Sequence, residues 1–204
     1  MQMADVCVGD LAVIIPAAGA SSRMLGADKL MQDVDGRPCI SHIVRRALQV
    51  SDTVVVCVPD TEHPRAAALD GMEITLVSVP DAAKGMSQSL KEGIKALPDS
   101  ISAAMILPAD MPDITGSDMA QLWAVFQASG LGILQAASKK GDAGHPVIFA
   151  RNLFPAFETL IGDKGAQAII QANRKSHALL PIAGTHATLD LDTPEDWAAW
   201  RASR

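Results

Sequence analysis

The residues best suited to chemistry form one loop that follows an apolar run, Ala12 to Ile15, and begins after Pro16. This loop supplies six small residues and two cations: Ala17, Ala18, Gly19, Ala20, Ser21, Ser22, Arg23 and Lys29. Short side chains let the backbone come close to a ligand, and successive main-chain N–H groups in such a loop attract anions. We therefore expect the loop to bind a nucleotide triphosphate.

Two common phosphate-binding motifs do not match this loop. The Walker motif requires Lys and then Ser or Thr directly after its second glycine, but Gly26 is followed by Ala27 and Asp28. The dinucleotide fingerprint requires a second glycine two residues after the first, but Ser21 stands two residues after Gly19. The loop must belong to another class of nucleotide-binding protein.

The remaining pattern, A-A-G-x-S-x-R-M followed by Gly26 and Lys29, resembles the signature loop of the MobA-like nucleotidyltransferases. Within that family it is closest to the molybdenum cofactor cytidylyltransferases. One departure is Leu25, which lengthens R-M-G to R-M-L-G. The opening P-A-A-G also resembles methylerythritol-phosphate cytidylyltransferases, and sugar-phosphate nucleotidyltransferases share the fold, so the acceptor stays open.

Asp110 follows an apolar run, Ala103 to Leu107, and stands between two prolines that restrict the turn. A carboxylate at the end of a strand can hold Mg²⁺ against a triphosphate, since Mg²⁺ binds few protein oxygens. Asp110 can equally cap a turn or the next helix. The family resemblance implies the metal-binding role.

A second acidic segment, Leu189 to Trp197, places Asp190 and Asp192 at alternate positions before a helix. Thr193 followed by Pro194 is a typical helix start. The family ends in a similar D-x-D-T-P-E-D, which implies that one of the two acids completes the metal site. Which of them does so is not decided by the sequence.

Two further groups of residues are assigned by resemblance alone. The stretch K-G-M-S-Q-S-L resembles the family element beside the base and ribose, which implies nucleotide contacts by Gly85, Met86 and Ser89. The elements G-H-P-V and G-D-K-G-A imply acceptor contacts by Gly144, His145, Pro146 and Asp163. Gln167 stands where the family usually has Arg, and this departure weakens the expectation that the segment binds an acceptor phosphate.

Helical and strand patterns alternate along the chain. We expect strands at 12–15, 53–58, 74–79, 103–107, 131–136, 145–149, 177–182 and 188–191, and helices at 38–50, 87–97, 118–128, 152–160, 166–172 and 194–202. This order predicts an α/β fold, a three-layer α/β/α Rossmann-like sandwich with a mostly parallel sheet, of the nucleotide-diphospho-sugar transferase type. Ligands in such sheets bind beyond the carboxyl ends of the strands, where these motifs fall.

The composition limits the other possibilities. The 204 residues suit a single nucleotidyltransferase domain, 1–204, with one core. A net charge of −6 and only 3% aromatic residues argue against a nucleic-acid partner. No secretory signal or membrane span is evident, and Cys7, Cys39 and Cys57 lack a metal-site spacing, so we expect reduced thiols and a cytoplasmic protein.

The resemblance implies an Mg²⁺-dependent transfer of a nucleotidyl group from an NTP to a phosphate acceptor, with release of pyrophosphate. CTP is favoured over GTP, because A-A-G is usual in the cytidylyltransferases and A-G-G in the guanylyltransferases. The expected acceptor is a phosphorylated small molecule of the molybdopterin type, and a molybdoenzyme or its chaperone is the expected protein partner. Alternatives are a sugar- or polyol-phosphate acceptor, or a non-catalytic chaperone that carries a nucleotide-bearing cofactor.

Overall fold

The computed structural model describes residues 10–204 and contains in that range nine strands: β1 (Leu11–Pro16), β2 (Asp33–Val34), β3 (Arg37–Pro38), β4 (Thr53–Val58), β5 (Thr75–Ser78), β6 (Ala103–Ile106), β7 (Ile133–Ala137), β8 (Ala143–Ala150) and β9 (His177–Pro181). Seven of them form one sheet in the order β5-β4-β1-β6-β8-β7-β9, while β2 and β3 form a separate hairpin. Neighbours in the sheet are parallel except for β8, which is antiparallel to both β6 and β7. The first residues of β8 therefore lie at the edge where the other strands end.

Helices cover both faces of this sheet. In residues 10–204 they are α1 (Cys39–Ala47), α2 (Pro64–Ala67), α3 (Met86–Lys95), α4 (Gly116–Ser129), α5 (Phe154–Phe157), α6 (Gln167–Ala172) and α7 (Pro194–Ala202). Successive residues of β1 face opposite layers: Val13 packs in the core with α1 and α4, and Ile14 in the core with α3 and α5. The predicted three-layer α/β/α sandwich with a mostly parallel sheet is confirmed.

The central strands β1 and β4 are continuous apolar runs because both of their faces are buried. β1 and β4 are covered on both faces, and their residues from Leu11 to Ile15 and from Val54 to Val58 are at most 1% exposed. Strands buried on both faces carry hydrophobic residues at every position rather than at alternate ones. Both predicted strands are therefore found where they were expected.

One predicted strand, 188–191, is wrong. The backbone N–H groups of Thr188 and Leu189 both donate to the carbonyl of Thr185, and Leu191 N donates to Asp110 O at 3.0 Å. The first two bonds form a turn, and the third is a single hydrogen bond to the loop after β6. The alternation of Leu and Asp therefore does not mark a strand: Leu191 is buried, Asp190 is exposed and Asp192 is partly buried.

Two elements were not predicted from the sequence. The helix α2 has only four residues, which is too short for a helical period to be visible. The hairpin β2–β3 has two residues in each strand and turns at Asp35 and Gly36, both at positive φ. An Asp-Gly pair is a recognised hairpin signal, so this element was detectable.

Two of the cysteines can be placed. Cys39 and Cys57 are buried free thiols, and burial raises the pKa of Cys57 to about 12. Cys7 lies outside the described residues. Between residues 10 and 204, the helices are all too short or too polar to cross a membrane.

Candidate active site

The loop after β1 presents backbone donors. Ala17 N still donates to Cys57 O of β4 at 2.8 Å, but the N–H groups of Ala18, Gly19 and Ala20 donate to no protein acceptor within residues 10–204. The same three residues line a cavity of about 480 Å³. Unpaired N–H groups facing a cavity attract an anion, so this geometry matches the expected phosphate loop.

The additional residue Leu25 is accommodated by an outward bulge. Met24 is buried, whereas Leu25 is 89% exposed and has a φ of 52°, followed by Gly26 with a φ of 93°. Asp28 then caps a short 3₁₀ turn, Lys29–Met31, by accepting from Leu30 N. The longer loop therefore does not remove Lys29 from the site.

Lys29 lies between two carboxylates from distant parts of the chain. Its Nζ donates to Asp110 Oδ2 at 2.5 Å and to Asp192 Oδ1 at 2.7 Å, and Arg23 Nη2 contacts Asp192 Oδ2 at 2.6 Å. Burial alone would lower the pKa of Lys29, but the two carboxylates outweigh this effect and raise it. The predicted cations and acids thus converge at the edge where β1 and β6 end.

Asp190 lies beside this group. Burial raises the pKa of Asp190, and the charges of Asp192 and Asp110 raise it further. Asp192 has a lowered pKa: burial opposes ionisation, but Lys29 and Arg23 favour it more strongly. The contacts show that Asp192, rather than Asp190, shares the ammonium of Lys29 with Asp110.

These residues suit a hard divalent cation. Residues 10–204 contain no group of three or more His, Cys, Asp or Glu side chains arranged around one metal position. Mg²⁺ does not require such a group, because one or two carboxylates and the substrate phosphates complete its coordination. Asp110 and Asp192 meet that requirement, since they already converge on the ammonium of Lys29.

Helix α7 explains the position of Asp192. Thr193 and Asp196 form a capping box, and Asp196 Oδ2 also accepts from Asp192 N at 3.2 Å. Leu191 N donates to Asp110 O, which ties this segment to the loop after β6. The sequence signal for the helix start was therefore also a signal for the placement of the acid.

A second cavity, of about 340 Å³, is lined by two of the four residues expected to contact the acceptor, His145 and Asp163. His145, Asp163 and Met86 line it, together with Gln135, whose Nε2 donates to Gly144 O. His145 Nδ1 is buried and has no partner in the part of the chain that the structure describes. Burial lowers the pKa of His145, although Asp110 and the Ile106 carbonyl act in the opposite direction.

Close backbone packing explains the glycine of G-H-P-V. A Cβ on Gly144 would lie 1.8 Å from Ala187 O, and His145 N donates to the same carbonyl at 2.8 Å. The Pro146 peptide is cis. This element is held against the segment that leads to Asp190 and Asp192.

The glycine loop before α3 is packed against the acceptor segment. Met86 N donates to Asp163 Oδ1 at 3.2 Å, and a Cβ on Gly85, which has a φ of 107°, would lie 2.5 Å from Gly162 C. Met86 therefore lies with His145 and Asp163 in the 340 Å³ cavity, not in the cavity of the phosphate loop. Ser89 is buried at 4% exposure, and its contact with a nucleotide stays a prediction.

Sequence reasoning did not identify Arg65. This residue belongs to α2 and is 2% exposed, yet its guanidinium reaches the phosphate loop and Asp28. An Arg within the otherwise apolar segment around Ala66 and Leu69 was the available signal. Without a predicted helix there, that signal had no structural context.

Known proteins match the sequence of this chain over most of its length. The profile of the MobA-like NTP transferase domain matches residues 13–178. The molybdenum cofactor cytidylyltransferase of Escherichia coli (strain K12) is 26% identical over 188 residues, which cover 90% of this chain and 92% of that protein. The molybdenum cofactor guanylyltransferase of Burkholderia vietnamiensis (strain G4 / LMG 22486) is 29% identical over 195 residues, which cover 93% and 89%.

Other relatives match over less of their length or at lower identity. The bifunctional protein GlmU of Leifsonia xyli subsp. xyli (strain CTCB07) is 28% identical over 125 residues, 59% of this chain, and the match spans about a quarter (26%) of that protein. The crystal structure of Rv0371c from Mycobacterium tuberculosis H37Rv superposes with a TM-score of 0.81 at 22% identity, over 95% of this chain and 98% of that one. These likenesses support the fold, which is that of the nucleotide-diphospho-sugar transferases. The chain belongs to the MobA-like NTP transferase family.

Proposed function

We propose that this protein transfers CMP from CTP to a phosphorylated acceptor of the molybdopterin type, with Mg²⁺, and releases pyrophosphate. One observation carries the proposal: the unpaired N–H groups of the loop after β1 adjoin a cluster in which Lys29 bridges Asp110 and Asp192. An anion-binding loop beside converging carboxylates is the combination that nucleotidyl transfer requires.

The reaction needs alignment more than acid–base chemistry. An oxygen of the acceptor phosphate attacks the α-phosphorus, the bond from that phosphorus to the bridging oxygen breaks, and pyrophosphate leaves. The nucleophile is already anionic, so the protein must hold two anions close together and compensate the developing charge.

The residues divide these tasks. The N–H groups from Ala18 to Ser22 and the guanidinium of Arg23 bind the β- and γ-phosphates, and Lys29 compensates charge at the α-phosphate. Asp110 and Asp192, which already share the ammonium of Lys29, would hold Mg²⁺, and the ion would neutralise phosphate charge and polarise the α-phosphoryl group. Arg23 and Lys29 must exchange carboxylate for phosphate partners when the nucleotide binds, since both now contact Asp192.

The 340 Å³ cavity is the proposed acceptor site. It opens beside Ile106, close to the cluster at the end of β6. Its lining combines apolar side chains with five polar ones, those of Gln135, His145, Asp163, Lys164 and Gln167. Two relatives that match along most of their length act, by their names, on the molybdenum cofactor, one as a cytidylyl- and one as a guanylyltransferase. They support this acceptor class and leave the base to be tested. A molybdoenzyme or its chaperone is the protein partner that such a product requires.

Pyrophosphate release tests the proposal directly. The purified protein is incubated with each of the four NTPs, Mg²⁺, and either molybdopterin-type or sugar- and polyol-phosphate acceptors. We expect release that requires both acceptor and Mg²⁺ and is fastest with CTP and the molybdopterin-type acceptor. Release only with a sugar phosphate would replace the acceptor class, and nucleotide binding without any release would favour the non-catalytic carrier.

A further inference from the structure

Arg65 is a buried cation outside the set of residues that the proposed reaction uses. Its side chain is 3% exposed. Nε donates to Asp28 Oδ2 at 2.7 Å, Nη1 to Ala17 O at 2.6 Å and Gly19 O at 2.8 Å, and Nη2 to Asp28 Oδ1 at 2.8 Å and Ser21 Oγ at 3.0 Å. A guanidinium has five N–H donors, and all five are engaged. Arg65 therefore has no donor left for a substrate phosphate.

The bonds of Arg65 decide which way the phosphate loop faces. In a planar trans peptide the C=O and the N–H point in opposite directions. Arg65 binds the carbonyls of Ala17 and Gly19, so the N–H groups of Ala18 and Ala20 point away from it. Both belong to the three loop N–H groups that have no partner in residues 10–204.

The same guanidinium holds the residue before Lys29. Asp28 accepts from Arg65 through both carboxylate oxygens, and its Oδ1 also accepts from Leu30 N at 2.9 Å and from Ser21 Oγ at 3.3 Å. These bonds fix the 3₁₀ turn in which Lys29 stands. The ion pair between buried Arg65 and partly buried Asp28 thus connects the phosphate loop to the backbone of the bridging lysine.

We propose that Arg65, paired with Asp28, is the positioning residue of the phosphate loop. Arg65 orients the loop N–H groups towards the triphosphate, and its pair with Asp28 fixes the backbone from which the Lys29 side chain extends. This proposal rests on the proposed function in that it assigns a triphosphate to the loop. Lysine cannot replace Arg65, because an ammonium is a point charge with three donors and cannot match the planar fork.

The test uses inorganic tripolyphosphate as a probe, because its binding needs neither base, acceptor nor turnover. For Arg65→Lys we expect affinity by calorimetry to fall about tenfold or more, the loss of one or two charge-assisted hydrogen bonds. The matched control is Arg151→Lys, because Arg151 also binds backbone carbonyl and carboxylate oxygens, those of Ile101 and Asp99, but at the opposite edge of the sheet. Wild-type affinity in Arg65→Lys, or an equal loss in Arg151→Lys, would overturn the proposal.

Rescue separates positioning from general stability. In Arg65→Ala, guanidinium at millimolar concentration is expected to restore tripolyphosphate binding and the KM for CTP, whereas methylammonium is not. Equal restoration by both cations, or none by either, would contradict the proposal. If Arg65→Ala does not fold, Asp28→Asn replaces it: weaker tripolyphosphate binding with an intact melting transition is expected, and unchanged binding would contradict the role of the pair.

Failure of the reaction and failure of this role give different results. Wild-type protein that binds tripolyphosphate but releases no pyrophosphate from any NTP would overturn the proposed function and leave the Arg65 comparison valid. If the wild type releases pyrophosphate and Arg65→Lys has unchanged kinetics, the proposed function stands and the role of Arg65 is overturned.

Discussion

At the scale of single residues, Lys29 is the side chain on which the acids of the site converge. Its ammonium lies between Asp110 and Asp192, where it satisfies two carboxylates that a divalent cation also requires. For Lys29→Met we expect triphosphate affinity to fall and Mn²⁺ affinity without nucleotide to rise, each by about tenfold, because the competing cation is removed. Paramagnetic resonance of free Mn²⁺ measures the second effect; weaker Mn²⁺ binding in the variant would contradict it.

Asp110 is the acid whose removal should affect turnover most. Asp110→Asn keeps the side-chain shape but removes the charge that faces Lys29, so we expect turnover to fall about 100-fold or more with a nearly unchanged melting temperature. The matched control is Asp113→Asn in the same loop, since Asp113 accepts from Trp200 Nε1 at 3.0 Å and does not contact Lys29. Similar turnover in both variants would remove Asp110 from the site.

Ala18 tests the base preference. It is 5% exposed and lines the cavity of the phosphate loop, and we expect its methyl group to narrow the floor of the base pocket there. Overpacking of a fitted site typically costs about 1–3 kcal/mol, which penalises a two-ring purine more than a pyrimidine. We expect a preference for CTP over GTP that Ala18→Gly relaxes without loss of catalysis. The measurement is competitive turnover at equal CTP and GTP, and a product pool dominated by guanylylated acceptor would contradict it.

At the scale of elements, α7 links helix capping to the site. Thr193→Ala removes the capping hydroxyl, which should cost about 1 kcal/mol of unfolding free energy. It also loosens Asp196, which accepts from Asp192 N, so we expect a turnover loss of about three- to tenfold from misplacement of Asp192.

Thr115→Ala is the control for this effect. Thr115 forms the same capping box with Asp118 at the start of α4, and neither of them is a partner of the Lys29 ammonium. Denaturant unfolding should show comparable destabilisation of the two variants, with a lower turnover only in Thr193→Ala. Equal turnover in both would mean that α7 does not position Asp192.

At the scale of the whole molecule, partly buried histidines make the free energy of unfolding depend on pH. Burial, and then the charge of Arg46, lower the pKa of His42 to about 4, and burial also lowers the pKa values of His145 and His177. Between about pH 4 and pH 6.5 the unfolded chain, whose histidines have pKa values of about 6.5, binds more protons than the folded chain. The stabilisation is therefore complete above about pH 6.5 and is lost as the pH falls towards 4.

His42→Gln tests this pH dependence. We expect its unfolding free energy to fall less between pH 7.5 and 5 than that of the wild type, because one of the three contributing groups is gone. Denaturant titrations at both pH values measure the difference. An equal fall in the two proteins would show that His42 does not contribute.

The sequence alone determined the elements whose signal is local. The buried strands β1 and β4 and the helices α1, α4 and α7 were predicted because apolar runs, helical periods and capping residues act within a few positions along the chain. The loop after β1 and the acid after β6 were recognised for the same reason, since each motif is contiguous.

The tertiary structure alone decided what depends on contacts between distant positions. It put Lys29 between Asp110 and Asp192, separated from them by 81 and 163 positions, and it turned the predicted strand at 188–191 into a turn that brings Asp192 to that lysine. It also brought Arg65 under the phosphate loop from a four-residue helix too short to show a period. Long-range ion pairs depend on which strands are neighbours in the sheet, and no periodicity within one segment carries that information.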